Sequence, residues 1–342
     1  MRHFKARLDA GRFDRLAGLI GTDDPFDGGD ALFWAVDHLL VHQRTDLLPD
    51  LATLARSTSP FAARIWRAVC LWYDGAQDQA LASLERTFRD GSHSGFARRG
   101  ARAWAMYLSL PRFETVLSEP ELRVQDAPIF QFWDTVPPPP DVAREMAAWS
   151  GLASKKYACF SAEKAIRFFA ENIGDTEAKL LRACPHPAIQ SDFFRLGKLM
   201  VDGGIYVDAD ARMRALFSGV YRNLGDRTLL WFRTRAAEMT IVNGFIVSPP
   251  GGAFVQAAFK VACRRLAAGE KLHVFDYAGP TLVTQAALRL FERNRLGDVA
   301  TLSDGYVARH ILGQVDAAYK RDARNWRRWM TSSDATHDGA GP

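Results

Sequence analysis

The feature that most constrains this chain is one short stretch, Ser191 to Asp210, reading SDFFRLGKLMVDGGIYVDAD. Ile189, Phe193, Leu196 and Met200 recur at three-and-four spacing and mark one face of a helix running to Asp202. Asp192 and Arg195, three apart, lie together on a neighbouring face. Gly203 and Gly204 end that helix, and Ile205, Tyr206 and Val207 are strong strand formers. The chain is therefore predicted to turn sharply from a helix into a buried strand that delivers Asp208 and Asp210 at its end. On an extended chain the side chains at i and i+2 point the same way, so the two carboxylates are expected to converge on one volume. Acidic oxygens so placed repel unless protons or a cation fill the space between them. A hard divalent ion, Mn2+ or Mg2+, partly hydrated and shared with a substrate diphosphate, is the natural occupant.

Each piece taken alone has a plainer reading. An Asp-x-Asp tripeptide on a turn is ordinarily a solvated or capping pair. An Asp/Arg pair at i,i+3 is ordinarily a surface ion pair worth a few tenths of a kcal/mol. What separates this stretch from both is the combination: a helix-borne carboxylate and guanidinium, a Gly-Gly turn and a strand carrying two further carboxylates.

The chain around it has two textures. From about Phe4 to Leu117 the pattern is helical, with Leu32, Trp34, Ala35, His38 and Leu39, then Ala63, Trp66, Ala68, Cys70 and Leu71, at helical spacing. The segment WRAVCLWYDGAQDQALASLERTFRDG pairs a large-residue helix with an Ala-rich one across a Gly-containing turn, which loosely resembles a tetratricopeptide (TPR-like) hairpin. From about Asp126 to Trp329 strand-like runs alternate with helices, an α/β layer pattern. PIFQFW, KKYACF, GIYVD, TLLWFR and TIVNGFIVS are the strand candidates. Helices are predicted over 161–174, 252–268 and 280–296, each with a capping residue, Gly or Pro at an end. Pro137 to Pro140 reads as a stiff connector belonging to no element. The tail after Met330, TSSDATHDGAGP, is polar and small and is expected to be disordered. The expected organisation is thus an all-helical domain over 1–120, an α/β domain over 121–330 and a tail over 331–342.

The string Ser191-Asp192-x-x-Arg195 followed by Gly203-Gly204-x-Tyr206-x-Asp208-x-Asp210 resembles the sugar-binding signature of glycosyltransferase family 32, enzymes of capsular polysaccharide and mannosyl transfer. Thinner similarities flank it. Ile129-Phe130-Gln131-Phe132-Trp133, followed by prolines, looks like the family's opening strand, whose Trp lies by the nucleotide base, with Phe130 where the family usually has His. Asn243-Gly244-Phe245-Ile246 and Ala278-Gly279-Pro280 resemble the family's strand and helix start near the acceptor, and His310 resembles its C-terminal His near diphosphate and metal.

The resemblance implies a GT-A nucleotide-diphospho-sugar transferase fold over roughly 120–330. It implies Asp210 as the direct metal ligand, with Asp208 sharing the ion or reaching the ribose and sugar, and His310 as a third candidate ligand. Asp192, Arg195, Gly203, Gly204 and Tyr206 would form the donor-sugar site, Phe132 and Trp133 the nucleotide side, and Asn243, Gly279 and Pro280 the acceptor side. It further implies Mn2+ or Mg2+ as cofactor, a UDP- or GDP-hexose as donor, a polysaccharide or glycolipid as acceptor, and retention of anomeric configuration. For Trp133 a core role, and for His310 a satisfied structural one, stand beside these assignments.

Composition bounds the rest. Of 342 residues, 48% are apolar and 24% charged, enough to bury cores for two domains. The first thirty residues carry Arg2, Lys5, Arg7, Arg12 and Arg15 with no long apolar run, and no later stretch reaches the roughly 18 apolar residues that a spanning helix needs. A cytoplasmic protein is therefore expected, with peripheral membrane or protein docking through the helical half as the further expectation. Cys70, Cys159, Cys184 and Cys263 show no paired spacing and read as reduced core residues. The net charge of +5 includes a cluster at Lys320, Arg321, Arg324, Arg327 and Arg328 interleaved with Trp326 and Trp329, best read as a solvated amphipathic helix and not as a nucleic-acid site. Three rivals remain at this level: a helical, partner-binding scaffold with a degenerate transferase half; a transferase that modifies a protein acceptor; and a metal phosphohydrolase, which lacks the extra His and Asp ligands of a two-metal site.

Overall fold

A computed structural model describes residues 45–47, 49, 60–91, 94–111, 128–153, 156–214, 224–235, 238–313, 315–321 and 325–335. The chain divides into two compact units: residues 1–116 with 232–240 and 301–306, and residues 117–231 with 241–300 and 307–342.

In the first unit the long described helices are α1 (Pro60–Tyr73), α2 (Gln77–Gly91) and α3 (Ser94–Ser109). The Asp74-Gly75 turn joins α1 to α2, with Gly75 at φ 84°, a left-handed backbone that glycine adopts without penalty. The core of this unit is aromatic. Trp66 meets Trp104 edge-on at 6.1 Å, and Tyr107 packs on Phe232 at 5.4 Å. Residues 1–44, over which the helical pattern was also predicted, lie outside the described residues.

The second unit is built on a mixed sheet of order β2-β1-β3-β6-β5-β7, whose last three strands also run into the segments grouped with the first unit. Its strands are β1 (Ile129–Phe132), β2 (Tyr157–Phe160), β3 (Gly204–Val207), β5 (Thr228–Arg235), β6 (Glu238–Ser248) and β7 (Val299–Ser303). β1 runs parallel to β2 and β3, and β3 pairs antiparallel with β6, placing Tyr206 opposite Ile246 and Val207 opposite Phe245. Two short strands, β4 (Arg212–Met213) and β8 (Leu312–Gly313), form a separate antiparallel pair. β1 and β3 are buried at every position, as strands covered on both faces must be.

The helices of this unit are α4 (Pro140–Ala153), α5 (Ala162–Asn172), α6 (Asp175–Ala183), α7 (Pro187–Asp202), α8 (Ala253–Ala268), α9 (Val274–Tyr277), α10 (Pro280–Phe291) and α11 (Trp326–Ala335). Their ends follow capping chemistry. Ser161 accepts from the Lys164 N–H at the start of α5, and Gly279 precedes Pro280 at the start of α10. Phenylalanines hold α7 to its neighbours: Phe193 stacks on Phe259 of α8 at 5.1 Å, and Phe194 lies 4.9 Å from Phe160 of β2.

Four local expectations need correction. Pro140 opens α4 instead of extending the connector, because a first-turn proline gives up only an amide that has no partner there. Helix α10 stops at Phe291, since Asn294 at φ 56° turns the chain left-handed. β7 was not foreseen. The tail is helical as far as Ala335, started by Asn325, whose side chain accepts from the Arg327 N–H, and anchored by Trp326 and Trp329; residues 336–342 lie outside the described residues. All four cysteines are free, and burial raises the pKa of each thiol, for Cys184 to about 12.

Candidate functional site

Helix α7 carries Asp192 and Arg195 on a face that meets β3 and β6, and one guanidinium ties the three elements together. Arg195 lies only 4% exposed. Its Nε donates to the Ser191 carbonyl at 3.2 Å, its Nη1 to the Asn243 carbonyl at 2.5 Å and its Nη2 to Ser191 Oγ at 3.0 Å. Nη2 also pairs with Asp192 Oδ1 at 2.8 Å and with Asp208 Oδ1 at 3.2 Å. Beneath it, 4.1 Å away, lies the Tyr206 ring. The Tyr206 hydroxyl donates to Asp208 Oδ1 at 2.8 Å, so its contact with Ser191 Oγ at 2.9 Å has the serine as donor. The Asn243 amide donates to Asp192 Oδ1 at 2.9 Å.

The electrostatics follow from burial. Burial opposes the charge on Arg195, but Tyr206, Asp192, Asp208 and Asp210 outweigh it and hold the guanidinium's pKa above its ordinary range. Burial pushes Asp192 up to about 6, with Arg195 and the Asn243 amide pulling back and Asp208 adding to the rise. The guanidinium is thus a fixed charge, while Asp192 sits where a modest change of pH alters its state.

Two glycines shape the space around these carboxylates. A Cβ at Gly244 would lie 2.5 Å from Asp208 Oδ2, and one at Gly279 would lie 2.8 Å from Asp192 Oδ2 and 2.9 Å from Phe275 Cα. Those two oxygens accept no hydrogen bond among the described residues. At the turn between α7 and β3, Gly203 and Gly204 have φ of 65° and 109°, and side chains there would run into Pro250 and Pro128.

The Asp-x-Asp segment differs from its predicted form. β3 ends at Val207, and the Ala211 N–H bonds back to the Asp208 carbonyl at 3.0 Å, so Ala209 and Asp210 form a turn instead of an extended continuation. Gln131 of β1 donates to that same carbonyl at 3.1 Å, and Trp149 of α4 donates to the Ala211 carbonyl at 2.8 Å. The two carboxylates consequently have separate partners. Asp208 Oδ1 belongs to the Arg195 network. Asp210 Oδ2 accepts from the Tyr319 hydroxyl at 2.8 Å and pairs with Lys320 Nζ at 2.6 Å.

Tyr319 and Lys320 sit in a 3-10 turn, Ala318–Arg321, held in place by the Ala318 N–H donating to Asp141 Oδ2 at 2.7 Å. That bond lowers the Asp141 pKa. Trp133 packs edge-on against Tyr319 at 5.1 Å, and its buried indole N–H has no partner among the described residues. Lys320 is therefore not the solvated residue expected of the basic cluster. Neither tyrosine nor lysine was singled out as a site residue, because each lies more than 100 residues from Asp210 and no local motif links them.

The remaining candidates fall as follows. Phe132 is 4% exposed and packs on Phe194, so its ring belongs to the core, and of the Phe132-Trp133 pair only Trp133 borders Tyr319. Asn243 belongs to the Arg195 network, and Gly279-Pro280 start α10 beside Asp192. His310 lies in a π-helical turn, Val307–Ile311, and its side chain is outside the described residues. His186, which no motif flagged, caps α7 by accepting from the Ala188 N–H, with Trp329 at 5.1 Å.

Among the described residues no three His, Cys, Asp or Glu side chains cluster as a protein-built cage would. A Mg2+- or Mn2+-type site shared with a diphosphate needs only one or two carboxylates, with phosphates and water completing the shell. Asp208 Oδ2 and Asp210 Oδ1 are uncommitted hard oxygen donors of that kind, so the residues present fit such an ion.

Residues 140–229 match the family described as "Glycosyltransferase sugar-binding region containing DXD motif". A solved structure named "PaToxG Glycosyltransferase" is similar over 73% of this chain and 97% of its own, at 15% identity and a TM-score of 0.33. No curated protein matches the chain. The family match spans α4 to the start of β5 and contains Asp192, Arg195 and Asp208, joined by the buried guanidinium, together with Asp210 of the turn that follows; the chain is a glycosyltransferase.

Proposed function

We propose that the chain is a retaining, divalent-metal-dependent hexosyltransferase with a GT-A type catalytic half, taking its sugar from a UDP- or GDP-hexose and passing it to a polysaccharide or glycolipid acceptor. The observation that carries this reading is the single network in which Arg195 holds Asp192 and Asp208 while Asp210 stands one turn away.

Within it Asp192 is the sugar-binding carboxylate. Its Oδ1 is taken up by Arg195 and Asn243, and its Oδ2 faces the space that the missing Cβ of Gly279 leaves open, where it can accept from a sugar hydroxyl. Arg195, 4% exposed and bonded inside the protein through each of its three nitrogens, orients both carboxylates. Asp208 and Asp210 would hold the ion through Oδ2 and Oδ1. A bound Mn2+ or Mg2+ would neutralise the charge that builds on the departing diphosphate. Trp133, which packs against Tyr319, would lie by the nucleotide base.

Transfer proceeds on one face of the sugar. The anomeric carbon's bond to the diphosphate oxygen breaks as its bond to the acceptor oxygen forms, and the acceptor's proton passes to the leaving diphosphate. Tyr206 and Asn243 keep the carboxylates in register throughout. No described helix is long and apolar enough to cross a membrane; the helical unit is the proposed docking surface for a membrane-bound or protein partner in the cytoplasm.

The test is a panel of UDP- and GDP-hexoses with Mn2+, scored for donor hydrolysis. Turnover of at least one sugar, lost in Asp210→Asn at unchanged melting temperature, is expected. No turnover and no thermal shift with any donor would remove the reading. A sugar trapped covalently on a carboxylate would remove the one-face displacement alone.

A further inference from the structure

The second carboxylate of the Asp-x-Asp turn already carries a cation. Lys320 Nζ lies 2.6 Å from Asp210 Oδ2, with Tyr319 Oη at 2.8 Å from the same oxygen. The third element of this clamp is the Val315 carbonyl, which accepts from Lys320 Nζ at 2.8 Å. Asp210 is mostly enclosed, its side chain 17% exposed, while that of Lys320 is 37% exposed, so the ammonium keeps a route to solvent. A carboxylate with this much enclosure would carry a large penalty if left bare, and the ammonium removes it.

The surroundings make the contact a built one. The backbone that presents Lys320 is pinned by the Ala318 N–H on Asp141, and Val315, Ala317 and Ala209 share one apolar cluster with Val142 and Met146. The side chain that reaches Asp210 is thus delivered from a fixed turn on its long, flexible stem.

The geometry points to Lys320 as a resident countercation of Asp210 that, from Oδ2, opposes a lone divalent ion on Oδ1 of the same carboxylate, and whose ammonium turns to the diphosphate when one arrives with the ion. This rests on the reading of Asp210 as a metal ligand. A divalent ion reaching Oδ1 without a diphosphate must share one carboxylate charge with the ammonium on Oδ2, so each cation weakens the hold on the other. An ion arriving with a diphosphate supplies new anionic oxygens for the same ammonium to donate to. Metal entry and diphosphate entry are thereby coupled through one side chain. Lys320 is a positioning residue in this scheme; it touches no reacting atom in the structure.

The test measures metal affinity, not turnover. Binding of Mn2+ alone is followed by the loss of the aqueous Mn2+ EPR signal in wild type, Lys320→Gln, Lys320→Arg and Asp210→Asn, with thermal melts to establish that each variant is folded. Lys320→Gln is expected to bind Mn2+ at least about tenfold more tightly than wild type, the effect of removing one charge-assisted pair. Lys320→Arg should stay near wild type, and Asp210→Asn should bind Mn2+ more weakly than wild type. With inorganic pyrophosphate present the advantage of Lys320→Gln should shrink or reverse.

Equal or weaker Mn2+ binding by folded Lys320→Gln, while wild type binds and Asp210→Asn does not, overturns the countercation role and leaves the metal-transferase reading standing. Asp210→Asn binding as well as wild type overturns both. An advantage of Lys320→Gln that pyrophosphate leaves unchanged overturns the hand-off to the diphosphate.

Discussion

The two carboxylates of the Asp-x-Asp turn are held in opposite ways. Asp208, although its own side chain is 41% exposed, is tied to the interior: a guanidinium from α7, a hydroxyl from β3 and its backbone amide bonded to β6 fix it, and the Arg195 that holds it is 4% exposed. Asp210, in the turn that follows, is 17% exposed and, among the described residues, its side chain bonds only to the C-terminal 3-10 turn, through a phenol and a half-exposed ammonium. The difference teaches that side chains adjacent in sequence can belong to separate mechanical parts. One is set when the core packs, and the other depends on a segment that arrives from more than 100 residues away.

The largest expected effect breaks the buried side. Arg195→Met leaves Asp192 and Asp208 without their shared cation, and should lower unfolding free energy by about 3–5 kcal/mol in a denaturant titration. A loss below 1 kcal/mol would mean the guanidinium does not organise the core. On the other side, Asp210→Asn should leave the melting temperature within a few degrees of wild type while reducing donor hydrolysis by at least about a hundredfold. Equal damage to stability and rate would erase the contrast between the two carboxylates.

Gly244→Ala sharpens the comparison by pressing on Asp208 only. Its Cβ would lie 2.5 Å from Asp208 Oδ2, and a loss of about 1–3 kcal/mol is expected, read as a lower melting temperature.

Titration probes the same side. With the Asp192 pKa pushed up to about 6 by burial, acidification through that value removes the charge that would accept a sugar hydroxyl, so donor KM should rise roughly tenfold between pH 7 and pH 5. The stability contribution of this group has the opposite sign. Because its folded pKa is raised, the stabilisation is present below about 4, the unfolded value, and is lost as pH rises through about 6. Weak binding in acid would therefore not be unfolding through Asp192. A KM that stays flat across that window would remove Asp192 from donor contact.

The smallest effect is expected from Tyr319→Phe, which takes one donor from Asp210 and should cost no more than about 1 kcal/mol. Differential scanning calorimetry resolves this against Arg195→Met.

How much of this was legible in the sequence follows the same division. Asp192, Arg195, the Gly-Gly turn and β3 were readable because helical spacing, left-handed glycines and a run of β-formers are local signals. The five strand candidates have counterparts in β1, β2, β3, β5 and β6. What failed was non-local or marginal. β7 is a short buried run, VATLS, with no turn signal that sets it apart. The turn at Ala209–Asp210 is imposed by Gln131 and Trp149, which reach it from β1 and α4. Lys320 looked like one member of a solvated basic cluster, since nothing in KRDARNWRRW says which cation meets a carboxylate. Gly244 and Gly279 carry no mark of the oxygens they make room for until the fold brings Asp208 and Asp192 beside them.

The spread of bonds around Arg195 has a consequence for how this region can drift over evolutionary time. Its donors serve Ser191, Asn243, Asp192 and Asp208 from three separate nitrogens of one plane. A lysine concentrates its donors at a single point and cannot reach all four. The commonest conservative exchange is therefore closed at position 195. Lys320, which serves one carboxylate and one carbonyl, sits in a segment where either cation can do the work. Variation that retunes this enzyme is expected to accumulate in the C-terminal turn and to leave the α7 network untouched.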